Sequence, residues 1–138
     1  MTAPLAATGL MAMMGQVVLL RELNVAMYGN EMAYVFSLGL WLLWTAAGAA
    51  FQGRVFSPSR RGIALLLTVT GPVLLLDVAF IRGSRILFGA VPGAYLPFTL
   101  QLLTTALALF PIAFLTGLLF AGTARRYLAD SRAATPGI

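Results

Sequence analysis

Four apolar runs, each near the length a bilayer demands, constrain this chain more than any other feature. Crossing a hydrocarbon layer takes about 20 mostly apolar residues per helix. The runs read as Leu5 to Met27, Met32 to Gln52, Gly62 to Ile81 and Leu96 to Ala121. The 138 residues are 60% hydrophobic and only 9% charged. A soluble domain carries roughly 25% charged residues, so too few charges remain to cover a water-facing surface. The expected fold is all-α: an integral membrane module of four helices in antiparallel hairpins. It forms a single unit over 1–138, with a polar tail at 122–138.

The connections differ in kind. Tyr28-Gly29-Asn30 predicts a tight turn, with Gly29 and Asn30 able to take positive φ. Arg54 to Arg61 is short and basic. Arg82 to Pro97 is longer, and its apolar middle, ILFGAVPGAYL, is expected at the membrane interface or dipping into it. The tail ends in TPGI, which reads as a linker. A cleavable signal peptide fits MTAPLAATGL poorly, because it lacks a basic start and a small-residue cleavage site.

Charge placement predicts orientation. One side carries Arg54, Arg60, Arg61, Arg125, Arg126 and Arg132 against Asp130, which sums to the whole net charge of +5. The other side holds Arg21, Glu22, Glu31, Asp77, Arg82 and Arg85, which cancel. The positive-inside rule then places both termini in the cytoplasm. The basic excess is a topology signal and a contact for anionic headgroups, and nucleic acid is not an expected partner. All nine basic residues are Arg, a bias of composition. Cysteine and histidine are both absent. That removes thiolate and imidazole ligands and the commonest general base. No catalytic residue, cofactor site or metal site is expected, and there is no internal repeat or phosphate-binding glycine loop.

The polar residues inside the apolar runs are the candidate site: Gln16, Arg21, Glu22, Asn30, Glu31, Asp77, Arg82 and Arg85. A charge at a helix centre costs about 2.5–3.5 kcal/mol on insertion scales, so each needs a partner or a route to the interface. Arg21 lies roughly 9 Å from its helix end, near the depth of Asp77. The expected pairing is Arg21 with Asp77, with Glu22 and Glu31 meeting Arg82 and Arg85 nearer the headgroups. Such a network either fixes helix packing alone or forms an outer pocket for a polar or cationic solute. Gln16 is expected to bond a neighbouring helix. Trp41 and Trp44, at i and i+3, either pack tightly or line a cavity. Small residues at four-residue spacing let helices approach closely. They are Ala46 with Ala50, Ala49 with Gly53, and Ala113 with Gly117 and Ala121, with Gly48 nearby. Pro72 and Pro111 are expected to kink their helices.

The opening block, GQVVLLRELNVAMYGNEMAYVFSLGLWLLWTAAGA, resembles the start of the multi-pass membrane region of bacterial spermidine synthase-like proteins. The matching residues are Gln16, Val17, Val18, Arg21, Glu22, Gly29, Asn30, Glu31, Trp41, Gly48 and Gly53. IRGSRILFGAVPGAYLPF and ALFPIAFLTGLLFAGTAR resemble the family's third loop and fourth helix, through Arg82, Arg85, Pro92, Gly93, Pro111 and Gly117. The tail RRYLADSRAATPGI is similar to the stretch before a fifth helix. The resemblance implies a bacterial inner-membrane location, and further membrane helices or protomers as partners besides the bilayer. It also implies a cytoplasmic aminopropyltransferase domain, whose glycine-rich loop and acidic residues are not in these residues. The expected role is to anchor or couple that transferase, with no transferase activity in this chain alone. Two other roles stand beside it. One is part of a transporter for polyamines or other polar or cationic solutes, using Glu22, Glu31 and Asp77. The other is a structural subunit of a larger membrane complex.

Overall fold

A computed structural model describes residues 2–55, 59–89 and 93–134. Four helices make up almost all of it: α1 (Thr2–Ala26), α2 (Glu31–Val55), α3 (Arg60–Leu87) and α4 (Phe98–Ala134). All four are long and apolar enough to cross a membrane, with mean hydropathy from 1.3 to 2.2. In lipid the backbone must satisfy its own hydrogen bonds, and a helix does so within one segment. Among the described residues there is no strand.

Consecutive helices run in opposite directions, but they are not the closest neighbours. α4 is the central helix and packs on all three others, whereas α2 and α3 do not touch. Ala108, Leu109, Ile112 and Ala113 of α4 are fully buried. The tightest seam joins α2 to α4, which run parallel: Trp44 meets Ala106 and Phe110, and Gly48 meets Phe114 farther along. The bundle therefore has a turn end, with the α1–α2 turn and the α3–α4 connection, and an arginine end.

The small-residue expectations land unevenly. Gly48 abuts the backbone of Phe114 and Leu118, and Gly117 reciprocally abuts the backbone of Thr45 and Ala49. Ala113 lies in the same buried stripe, and Ala121 is partly exposed. On α2 the expected stripe holds in part, through Gly48 and Ala49 but not through Ala46 and Ala50. Ala46 and Ala50 are exposed, while Thr45, Gly48 and Ala49 face α4. Gly53 is exposed and faces Arg125, whose Nη1 would lie 3.0 Å from a Cβ there. Trp41 is buried in the core. Trp44 packs edge-on against Phe110, and its indole N–H donates to the Ala106 carbonyl at 3.1 Å. Both tryptophans thus serve packing, and the indole of Trp44 finds its acceptor on α4.

Three boundaries differ from the sequence reading. α4 continues through Gly122 to Ala134, where a polar tail was expected. The segment GTARRYLADSRAA lacks Pro and is rich in good helix formers, so nothing in it stops the helix. α3 continues past Ile81 to Leu87, because Arg82 and Arg85 find partners from helical positions and the first positive φ after them is Gly89. In the tight turn, positive φ falls on Tyr28 and Gly29. Asn30 instead begins α2, its side chain accepting from the Met32 amide at 3.1 Å, as an N-capping residue does. Pro72 and Pro111 sit inside helices that continue through them. The expected interfacial dip of ILFGAVPGAYL, with Pro92, falls partly outside the described residues, as do the middle of the Arg54–Arg61 connection and TPGI.

Candidate functional site

The turn end gathers most of the candidate polar residues. Glu22 leaves α1 one turn before its end, and Arg82 leaves α3 at the same level. They form a bidentate ion pair, with the Arg82 Nε and Nη2 donating to the two carboxylate oxygens at 2.8 Å each. The fork geometry of guanidinium suits a carboxylate in this way. One turn farther along α3, Arg85 donates to the carbonyl of Ala26 at 3.0 Å and to that of Ala94 at 3.2 Å. The last carbonyls of a helix have no partner within it. Arg85 satisfies one of them and places positive charge at the negative end of the α1 dipole.

Arg85 also lies over the ring of Tyr28, 4.2 Å from its centroid, close enough for a cation–π interaction. Tyr28 holds a left-handed backbone conformation with φ 55, which costs a non-glycine residue roughly 1–2 kcal/mol. Three contacts hold it there. Its ring takes the Arg85 cation and the edge of Tyr95, and its hydroxyl accepts from the Gly93 amide at 3.1 Å. Tyr28 thus ties the α1–α2 turn to the α3–α4 connection. On the other side of the turn, the Asn30 amide donates to Gln101 at 3.2 Å, and Gln101 donates to the Leu96 carbonyl at 2.8 Å. Neither Tyr28 nor Gln101 was among the sequence candidates. The signal for Gln101 was a carboxamide in an apolar run, the same signal that singled out Gln16.

The expected Arg21–Asp77 pair does not form. Arg21 is exposed and makes no ion pair. Neighbouring side chains on a helix point about 100° apart, so when Glu22 faces α3, Arg21 cannot. Asp77 is buried, 6% exposed, and its Oδ2 has no hydrogen-bond partner. The backbone amide of Ile112, next to Pro111 in α4, lies close enough to act on it electrostatically. Along α3 from Asp77, an apolar cavity of about 250 Å3 lies between Gly15, Thr70, Leu74 and the same Ile112. Gln16 is partly buried and Glu31 exposed, and neither makes a side-chain hydrogen bond or ion pair. The network therefore resolves into a pinned cluster at the turn end and one isolated carboxyl deeper in the bundle. Among the described residues no group of acidic residues is placed to hold a metal.

This arrangement predicts how the charges respond to substitution. Arg21→Gln should leave thermal stability in detergent within about 0.5 kcal/mol of the parent, as for a surface change. Glu22→Arg and Arg82→Glu should each lower it, and the double swap should recover most of the loss. A large loss in Arg21→Gln would mean that the pairing is otherwise.

Compared with protein-family models, curated proteins and solved structures, the chain matches none.

Proposed function

We propose that the chain is a membrane-embedded anchoring module of a spermidine synthase-like protein, coupling a polyamine-type transferase domain to the bilayer. The observation that carries an anchoring role is what the turn-end charges do. Glu22 and Arg82 neutralise each other, and Arg85 closes a helix end and a loop. These groups, which include residues of the resemblance, bind helices to one another and leave no converging set for a reacting substrate. The four apolar helices supply the membrane-crossing part. In this reading the arginine end faces the cytoplasm, where the transferase would sit.

The reading makes a direct expectation. Purified 138-residue protein, supplied with putrescine and decarboxylated S-adenosylmethionine, should form no spermidine. The tagged native product, isolated from membranes, should have an intact mass far above 14.7 kDa, or co-purify with the transferase. A native product of 14.7 kDa with no transferase partner would sink the coupling role.

A second reading, passage of a polar or cationic solute, draws on Asp77 alone. Glu22 is taken by Arg82 and is not available to a solute, but Asp77 keeps an unpartnered oxygen near a cavity.

A further inference from the structure

At the arginine end a groove of about 520 Å3 opens between the start of α1, the start of α3 and the last turns of α4. Leu5 from α1, Ile63, Ala64 and Leu67 from α3, and the arginines Arg60 and Arg126 line it. The volume falls within the range of sites that enclose most of a small ligand. Its depth in a bilayer follows from helix geometry. Arg126 lies about 42 Å along α4 from Phe98, the headgroup level of a bilayer about 40–45 Å thick in all. Ile63, Ala64 and Leu67 descend from Arg60 over about 10 Å, into the depth of acyl chains.

The groove therefore presents two guanidinium groups at headgroup depth above an apolar channel. Arg54, Arg61, Arg125 and Arg132 lie at the same end, opposed by Asp130 alone. A headgroup with net negative charge complements this field, and the added cation of a zwitterionic headgroup does not. We propose that the groove binds one anionic phospholipid, its phosphate between Arg60 and Arg126 and one acyl chain along Ile63, Ala64 and Leu67. Guanidinium groups bind phosphate through paired N–H donors. The bound lipid completes the surface where α1, α3 and α4 diverge. The proposal rests on the membrane reading and is independent of the transferase.

The test is native mass spectrometry of the full chain released from nanodiscs of equal phosphatidylglycerol and phosphatidylcholine. One retained phosphatidylglycerol is expected, in roughly tenfold or greater excess over phosphatidylcholine, from about 1 kcal/mol per basic residue near the surface. Ala64 is exposed to the groove, so Ala64→Trp should fill it and abolish retention with both arginines in place. Leu5→Trp blocks it from the α1 side and serves if the first variant does not fold by circular dichroism. Arg60→Gln with Arg126→Gln should remove the preference for phosphatidylglycerol. Equal retention of both lipids by the parent would overturn the proposal. So would undiminished phosphatidylglycerol in a folded groove-filled variant, or a protein dimer in place of the lipid adduct. Resistance of the chain to carbonate extraction reads membrane insertion separately. An inserted chain without lipid sinks this proposal alone, whereas an extracted chain sinks the membrane reading itself.

Discussion

Gly117→Ala is expected to lower stability by about 3 kcal/mol, the upper part of the usual range for overpacking. A Cβ at Gly117 would meet the Thr45 carbonyl oxygen and the backbone of Ala49. These are backbone atoms in mid-helix, so no side chain can turn aside, and α2 would have to move off α4. Gly48→Ala meets the same obstacle from the other helix, at Phe114 and Leu118. The double substitution should cost less than the sum of the two, because the first methyl already parts the seam that the second would clash with. Gly71→Ala and Gly39→Ala are the controls. A Cβ at either has no neighbouring atom within 4 Å, and both should stay within about 0.5 kcal/mol of the parent. Thermal unfolding in detergent, followed by near-ultraviolet dichroism of the Trp41 and Trp44 region, reads all of these. Tolerance of alanine at both seam glycines would mean that α2 and α4 are not in backbone contact.

That seam shows where sequence reasoning reaches and where it stops. Helix number, the tight turn at Gly29 and the small-residue stripe of α4 were legible, because length, turn chemistry and spacing report on one segment at a time. The matching face of α2 was legible only in part, through Gly48 and Ala49. In water, an apolar stripe marks the buried side of a helix. Here the exposed side is as apolar as the packed one: Leu42, Leu43 and Phe51 are exposed, while Trp41 is buried. Ala46 and Ala50 therefore looked as good a contact as Gly48 and Ala49. α4 did carry a usable signal that spacing of small residues alone did not express. Gln101, Thr104, Thr105, Ala108, Ile112, Thr116 and Thr123 are all buried, and the threonine hydroxyls bond carbonyls of their own helix. That polar, small stripe lies on the helix that takes the centre of the bundle. Among the charged residues the expected meeting of Glu22 with Arg82 formed, and the Arg21–Asp77 pairing failed for another reason. Depth along a helix made Arg21 and Asp77 look paired, but the direction of each side chain around its helix decides contact. Glu22 occupies the position that faces Arg82.

Asp77→Asn is expected to raise stability, by about 1 kcal/mol or more, against the usual trend of substitutions at buried positions. Asp77 is 94% buried by exposure of 6%, and its Oδ2 has no hydrogen-bond partner. The backbone amide of Ile112 acts on it electrostatically, and no cation is paired with it. A neutral amide of the same shape costs less to bury than a charged carboxylate without a cation. Pro111 adds a local weakness in the facing helix, since proline removes the donor that the Leu107 carbonyl would otherwise receive. A carboxyl buried without a cation in a helix apolar enough to cross a membrane is the residue on which the transport reading depends. The stability result and the transport reading can then be tested together in proteoliposomes. If solute passage depends on Asp77, Asp77→Asn should be the more stable protein and abolish polyamine uptake, while Glu31→Gln, at an exposed position, retains it. If Asp77→Asn is instead strongly destabilised, the carboxyl is a structural tie to the Ile112 amide. The bundle then has no carboxyl to spare for a solute at that depth, and anchoring remains the reading its polar residues support.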